Sequence, residues 1–459
     1  MFKKNVNMLS GSIVKGLLTI AFPIMIMNVL QSLFNIVDMS VLKTYDTTNG
    51  MAVGAVGACS TLITLITNLV IGIATGANVV VAKHLGRRDT FHAEKAAGTA
   101  IAFSIAAGLA LTVIGIFGAE YFLTWMNCSP ELMENGSVLY FRLYFAGVPV
   151  LMVYNFCAAI LRSSGNSGQI MTISLTGSVV KLAFTYLFVA VFGWGIPGVS
   201  AATIISWCVY LGMGLYALTR KDSAVRLKWQ NIRFSHQELK TTLHIGIPTG
   251  LQMGLYSIAN VIIATAVNVE GTAATTGVSI ANNFDGVLYN ISHSASLAVL
   301  PYVSQNIGAG NVKRATESVW KGIIITAGIG GSLGSLSACF AEPLSGIMSN
   351  NSEEIAYSCQ KMVLISSTYF ICGINDVFTA ALRGMGRPIV PTITTLIFMC
   401  AFRFFWVYVV YYPLMKGNLT FLYLVWPIGW IACIIVALFV FFPRVKYLKA
   451  HHAEIPATN

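Results

Sequence analysis

Long apolar stretches separated by short polar connections fill the chain from residue 16 to residue 443. Each stretch has about 20 residues or more, enough for an α-helix to cross a hydrocarbon core of about 30 Å. Apolar runs with little period-2 alternation favour helices over a transmembrane β-barrel. The pattern predicts an all-α polytopic membrane protein with twelve helices, at 16–42, 51–82, 94–118, 136–161, 168–192, 196–219, 244–268, 273–305, 315–340, 358–383, 388–413 and 420–443.

The second half of the chain repeats the first at a distance of about 221 residues. ILRSSG, which contains Leu161, corresponds to ALRGMG, which contains Leu382, and the longest polar connection follows the sixth predicted helix. The repeat predicts an N-terminal six-helix lobe at 1–219, an inter-lobe linker at 220–243 and a C-terminal six-helix lobe at 244–459. Because each lobe has an even number of helices, we expect pseudo-symmetry about an axis along the membrane normal.

Composition and charge support a membrane protein. Hydrophobic residues make up 56% of the 459 positions and charged residues 10%, whereas a soluble domain has about 25% charged residues. The basic residues cluster in the even-numbered connections and near both termini. The positive-inside rule therefore predicts a multi-pass protein of the cytoplasmic membrane with both termini in the cytoplasm. This distribution explains the net charge of +11 without nucleic-acid binding.

The sequence contains no signature of a metal site or of catalysis. Its nine cysteines are scattered, without a CxxC or CxxH spacing, so we interpret them as packing residues and expect neither a metal site nor a disulfide framework. No Walker or other nucleotide-binding motif is present. A duplicated apolar chain of this kind is typical of a transporter. We therefore expect a carrier that is not an enzyme and binds no cofactor.

Motifs spread along almost the whole chain resemble the multidrug and toxic compound extrusion (MATE) family. They lie at 22–38 (FPIMIMNVLQSLFNIVD), 83–97, 161–167 (LRSSGNS), 194–206, 246–250 (GIPTG), 300–315 and 381–388 (ALRGMGRP). The resemblance implies two six-helix lobes that form a V around a central cavity. It also implies secondary active antiport, in which organic cations or other amphiphilic compounds are exported in exchange for protons or sodium.

Asp38 is the principal candidate for the coupling site. A carboxylate inside the membrane is costly, so we expect it to face a cavity or a partner, and many family members have a coupling acid at this place. The repeat maps Asn35 onto Asn260 but Asp38 onto an isoleucine. Lys181, in the middle of the fifth predicted helix, is either a structural counter-charge for Asp38 or part of the coupling machinery. Because a lysine would repel sodium, we favour proton coupling.

The eighth predicted helix contains a polar stripe that suits the wall of a substrate cavity. Helical steps of three or four residues from Asn283 reach Asn290 and His293, and Asp285 lies on the same helix. A histidine can titrate near neutral pH. His293 is therefore either a proton-binding group or a hydrogen-bonding residue of the helix interior.

Four further residues are predicted to line the cavity. Tyr256 and Asn260 lie on the seventh predicted helix, Asp376 on the tenth and Arg403 on the eleventh. An acid in a membrane helix needs a partner or a cavity, so Asp376 either lines the cavity or forms a half-buried pair with Arg383 or Arg403.

One alternative function is that of another class of transporter from the same superfamily. A flippase for a lipid-linked or amphiphilic substrate would suit a more cationic cavity, which Lys181 and Arg403 would provide. The expected partners of the carrier are a small amphiphilic substrate and the lipid bilayer, with no nucleic acid, and the expected state is a monomer. A substrate-driven ion flux, with Asp38→Asn as a control, distinguishes a coupled carrier from a passive channel.

Overall fold

A computed structural model describes residues 6–45, 51–126 and 128–451, except for some side chains between residues 35 and 135. Helices connected by short loops make up this part of the chain. They are α1 (Ile13–Thr44), α2 (Met51–Gly86), α3 (Thr90–Trp125), α4 (Val138–Ser163), α5 (Ser167–Val191), α6 (Gly195–Thr219), α7 (His236–Asn268), α8 (Thr272–Gly308), α9 (Val312–Cys339), α10 (Ser352–Ser367), α11 (Tyr369–Gly384), α12 (Ile389–Met415) and α13 (Leu419–Ala450). The all-α fold predicted from the apolar pattern is confirmed.

The helices agree with the twelve predicted spans. One span is bent, and one long helix is more polar than the others. Ten are long and apolar enough to cross a membrane, and α10 with α11 forms an eleventh candidate that is bent by 46°. Within the described chain, α8 falls outside this group although it has 37 residues, because the asparagines, serines and charged groups along it lower its hydropathy. A polar helix in this position is consistent with a helix that faces other helices instead of lipid.

The chain divides into two compact units. The first unit contains Val29–Leu85 and Asp89–Gly246, and the second contains Val6–Asn28, Gly86–Arg88 and the chain from Ile247 onward. The first part of α1 therefore belongs to the unit that holds the C-terminal helices, whereas the sequence-based boundaries assign it to the N-terminal lobe.

Buried contacts explain why the start of α1 belongs to the second unit. Leu17 and Ile20 are buried in the same apolar core as Val299 of α8. The side-chain amide of Asn306 donates a hydrogen bond to the carbonyl oxygen of Met8 at 3.1 Å. The apolar face at the beginning of α1 is thus covered by helices from the second half of the chain.

The linker between α6 and α7 is fastened to the first unit. Lys228 Nζ lies 2.7 Å from Glu94 Oε2 on α3, and Thr99 Oγ1 donates to the carbonyl oxygen of Arg233 at 3.0 Å. Farther along, His84 Nε2 lies 3.2 Å from Glu238 Oε2 in the first turn of α7. The linker and the beginning of α7 therefore pack against the helices of the first half.

Replacing Gly76 by leucine is expected to lower the free energy of unfolding by about 1–3 kcal/mol, because overpacking forces the backbones apart. A Cβ atom at this position would overlap the carbonyl oxygen of Thr242 and lie 2.9 Å from the backbone nitrogen of Gly246. Thermal unfolding in detergent measures the loss. Gly212→Leu is the matched control, since nothing lies within 4 Å of a Cβ there. Equal losses in the two variants would contradict the close approach of α2 and α7.

Candidate functional site

A histidine and an aspartate from different helices of the second unit form a pair. His293 Nδ1 on α8 lies 2.8 Å from Asp376 Oδ2 on α11, and their side chains are 20% and 11% exposed. The ring of Tyr289 stacks on the imidazole with a centroid distance of 5.2 Å, and Ser296 Oγ lies 3.4 Å from Nδ1. The pair is held in place but is not sealed from its surroundings. An imidazole and a carboxyl group thus lie within hydrogen-bonding distance of each other.

Of the two alternatives for Asp376, an ion pair with Arg383 or Arg403 is not found among the described residues. Both guanidinium groups are instead held by amides of α7. Arg383 Nη2 donates to Gln252 Oε1 at 2.6 Å, and Arg403 Nη1 donates to Asn260 Oδ1 at 2.8 Å. The carboxyl group of Asp376 contacts His293 and neither arginine.

The polar residues of α7 lie on one face of the helix. Gln252, Tyr256 and Asn260 are spaced by four residues, so their side chains follow one stripe. Tyr256 lies near enough to Asp376 and Arg403 to interact with both charges. The structure thus brings together most of the cavity residues predicted on α7, α8, α11 and α12. The sequence analysis did not single out Gln252, although its spacing of four from Tyr256 is a signal that could have identified it.

A second ion pair in the same unit is more fully buried than the first. Asp285 Oδ2 on α8 lies 3.0 Å from Lys361 Nζ on α10, and both side chains are less than 10% exposed. Lys361 also donates to Asn282 Oδ1, and Ser366 Oγ donates to Asp285 Oδ1 at 3.4 Å. The amino group of Lys361 is therefore the buried partner of the Asp285 carboxyl group. Lys361 was not among the predicted site residues, because its contact with Asp285 on another helix depends on helix packing.

Two other predicted residues of α8 have different surroundings. The side-chain amide of Asn283 is exposed and donates to the carbonyl oxygen of Ser279 in its own helix at 2.9 Å. Asn290 is half-buried, and its backbone carbonyl oxygen accepts a hydrogen bond from the amide of Asn28 at 3.5 Å. The polar stripe predicted from Asn283 to His293 therefore does not act as one continuous network.

The coupling residues predicted in the first half are Asn35, Asp38 and Lys181. The side chains of Asn35 and Asp38 lie outside the described residues. Lys181 lies on α5 and is half-buried. The proposed contact between Asp38 and Lys181 stays a prediction.

Metal-ion chemistry has no candidate site in the described part of the chain. No group of three or more His, Cys, Asp or Glu side chains is positioned there to hold a metal ion. The His293–Asp376 pair contributes one imidazole and one carboxylate, which is a suitable combination for proton exchange.

Comparisons with known proteins identify the family. A family model described as MatE matches residues 23–187 and 248–409. The probable multidrug resistance protein YoeA of Bacillus subtilis (strain 168) is 25% identical over 384 residues, which are 82% of each chain. A FAD transporter of Shewanella oneidensis is 22% identical over 393 residues, 83% of this chain and 84% of the relative.

A solved structure shows the same fold over nearly the full length. It is that of a MOP superfamily transporter from Pyrococcus furiosus Vc1, described by a binding pocket of reverse polarity, with a TM-score of 0.89 and 20% identity. The alignment covers 98% of this chain and 99% of that one. Because the family model matches most of the sequence in two segments, one in each half, the chain belongs to the MATE family of multidrug efflux transporters.

Proposed function

We propose that the chain is a secondary active antiporter of the cytoplasmic membrane, with both termini in the cytoplasm. It exports amphiphilic compounds, organic cations among them, in exchange for protons. The proposal rests on the His293–Asp376 pair, in which a carboxylate within membrane-spanning helices is balanced by a titratable group. Sodium coupling is less favoured because sodium requires several oxygen ligands and is repelled by nearby cations.

The two ion pairs of the second unit differ in their suitability for proton exchange. Asp285 and Lys361 lie 3.0 Å apart with both side chains less than 10% exposed, so that pair suits a structural role. Histidine is the residue type whose charge ordinarily changes near neutral pH, and the exposed fractions of His293 and Asp376 leave a route for water. Proton coupling is therefore assigned to the His293–Asp376 pair.

Competition between a proton and a cationic substrate explains antiport. Without the shared proton, the pair carries a negative charge that attracts an organic cation. When the proton binds, the pair becomes neutral and its attraction for the cation falls. Because each ligand weakens the binding of the other, their net movements are opposite in an alternating-access cycle. Asp38 remains the second coupling acid that family membership leads us to expect.

Transport in liposomes tests this function. Ethidium efflux should be driven by an inward proton gradient in sodium-free buffer and should stop when the gradient is collapsed. Asp38→Asn is expected to abolish coupled efflux and to leave membrane insertion intact. Efflux that needs a sodium gradient and ignores the proton gradient would overturn proton coupling.

A flippase for an anionic, lipid-linked substrate is the second candidate. Arg403 is 1% exposed, and its guanidinium contacts the neutral Asn260 and lies 5.1 Å from the ring of Trp426. Among the described residues it has no carboxylate within ion-pair distance, so an anionic headgroup would supply the missing charge. The relative named as a FAD transporter also handles an anionic compound. Flipping of a fluorescent lipid without proton movement would favour this candidate.

A further inference from the structure

The linker between α6 and α7 exposes both aromatic rings and basic side chains. Trp229 is 70% exposed and Phe234 is 61% exposed. Arg226 and Arg233 are exposed in the same stretch, and Lys240 is exposed in the second turn of α7. These five residues are called the linker patch below. Large apolar rings in contact with water are costly, so their exposure indicates a surface that another component covers.

The positive charge of the linker patch is not balanced by nearby carboxylates. Within the described chain, Arg226, Arg233 and Lys240 have no carboxylate within ion-pair distance, whereas Lys228 of the same linker is paired with Glu94. Each of the three positive charges is therefore available to an external anion.

Buried residues hold the linker in a defined path. Val225 and Leu227 are 2% and 3% exposed, and the nitrogen of Leu227 donates to the carbonyl oxygen of Leu218 at 2.9 Å. Because buried Val225 and Leu227 flank Arg226, the backbone directs the arginine away from the core. The side chains of the linker patch thus extend from a fixed backbone.

The contacts of the linker with α3 give its depth relative to the membrane. Helix α3 has 36 residues, about 54 Å at 1.5 Å per residue, and therefore exceeds a 30 Å hydrocarbon core by about 12 Å at each end. Thr99, which bonds the carbonyl oxygen of Arg233, lies nine residues after the first residue of α3. If the hydrocarbon core is centred on α3, Arg233 lies close to the boundary between hydrocarbon and headgroups.

We propose that the linker patch binds the surface of an anionic lipid leaflet. The rings of Trp229 and Phe234 enter the interfacial region, where aromatic residues are favoured. The cations of Arg226, Arg233 and Lys240 contact the phosphate groups of anionic lipids. The positive-inside rule places this surface at the cytoplasmic leaflet.

Thermal unfolding of the full-length protein in detergent, titrated with dioctanoyl phosphatidylglycerol, tests the proposal. The anionic lipid should stabilise the wild type, whereas dioctanoyl phosphatidylcholine and inorganic phosphate should not. Each basic residue near an anionic surface strengthens binding by about fivefold. The triple variant Arg226→Gln/Arg233→Gln/Lys240→Gln should therefore need on the order of 100-fold more lipid for the same stabilisation.

A control variant comes from the same linker. Lys228 is exposed but already paired with Glu94, so Lys228→Gln should raise the required lipid concentration less than Arg226→Gln, for which about fivefold is expected. A second variant, Trp229→Ala/Phe234→Ala, should also weaken the lipid effect while leaving unfolding without lipid unchanged. The proposal is overturned if Arg226→Gln and Lys228→Gln respond equally, if inorganic phosphate reproduces the stabilisation, or if the anionic lipid has no effect on the wild type.

Discussion

Asp376→Asn is expected to reduce proton-driven ethidium efflux to the level of liposomes without protein. The amide keeps the size of the carboxyl group and can still bond to His293, which lies 2.8 Å away in the wild type. It cannot exchange a proton near neutral pH, so the site loses its charge change during the cycle. Initial efflux rates at a fixed proton gradient measure the effect. Asp222→Asn is the matched control, since that acid is exposed and pairs with Arg220 in the linker.

His293→Gln separates the two members of the pair. Glutamine can donate a hydrogen bond to Asp376 but cannot carry a positive charge. If the imidazole shares the coupled proton, this variant should retain ethidium binding and lose the response of efflux to pH. A variant that pumps ethidium with the wild-type pH profile would show that His293 only positions the acid.

Lys361→Met is expected to lower the free energy of unfolding by about 3–5 kcal/mol, because it leaves a buried carboxylate without its counter-charge. Asp285 Oδ2 lies 3.0 Å from Lys361 Nζ, and both side chains are nearly covered. Denaturant or thermal unfolding in detergent measures the loss. The double variant Asp285→Asn/Lys361→Met should recover most of it, since both charges are then absent.

A surface lysine provides the comparison for this prediction. Lys321 is 41% exposed and lies 3.8 Å from Glu317 one turn earlier on α9, so Lys321→Met should cost less than about 0.5 kcal/mol. Equal losses for the two lysines would mean that the interior pair contributes no more than a solvated one. Ethidium efflux by the double variant should survive, because this pair is assigned to structure.

The apolar pattern predicted the helices well because chain length and hydrophobicity decide which segments can cross a membrane. It did not predict the 46° bend between α10 and α11 at Thr368, since the residues there include neither proline nor glycine. It also did not predict that Val6–Asn28 would join the second unit. That arrangement depends on contacts between residues about 280 positions apart in the sequence, which no local pattern records.

The sequence predicted most residues of the candidate site, but it did not predict which of them contact each other. His293 and Asp376 both drew attention because titratable residues are rare within membrane helices. Their contact joins residues 83 positions apart, so the choice of partner followed from helix packing. An arginine was one possible partner of Asp376 because opposite charges attract, but Gln252 and Asn260 accept hydrogen bonds from Arg383 and Arg403. Residue type thus indicated the chemistry, and tertiary geometry decided the partners.

Proton movement measured directly inside liposomes is the most direct test of coupling at the His293–Asp376 pair. A pH-sensitive dye enclosed with the protein in sodium-free buffer should report proton flow opposite to ethidium when an ethidium gradient is imposed. This flow should disappear in Asp376→Asn and persist in Asp222→Asn. Ethidium transport that moves no protons in the wild type, or proton flow that persists in Asp376→Asn, would contradict the assignment.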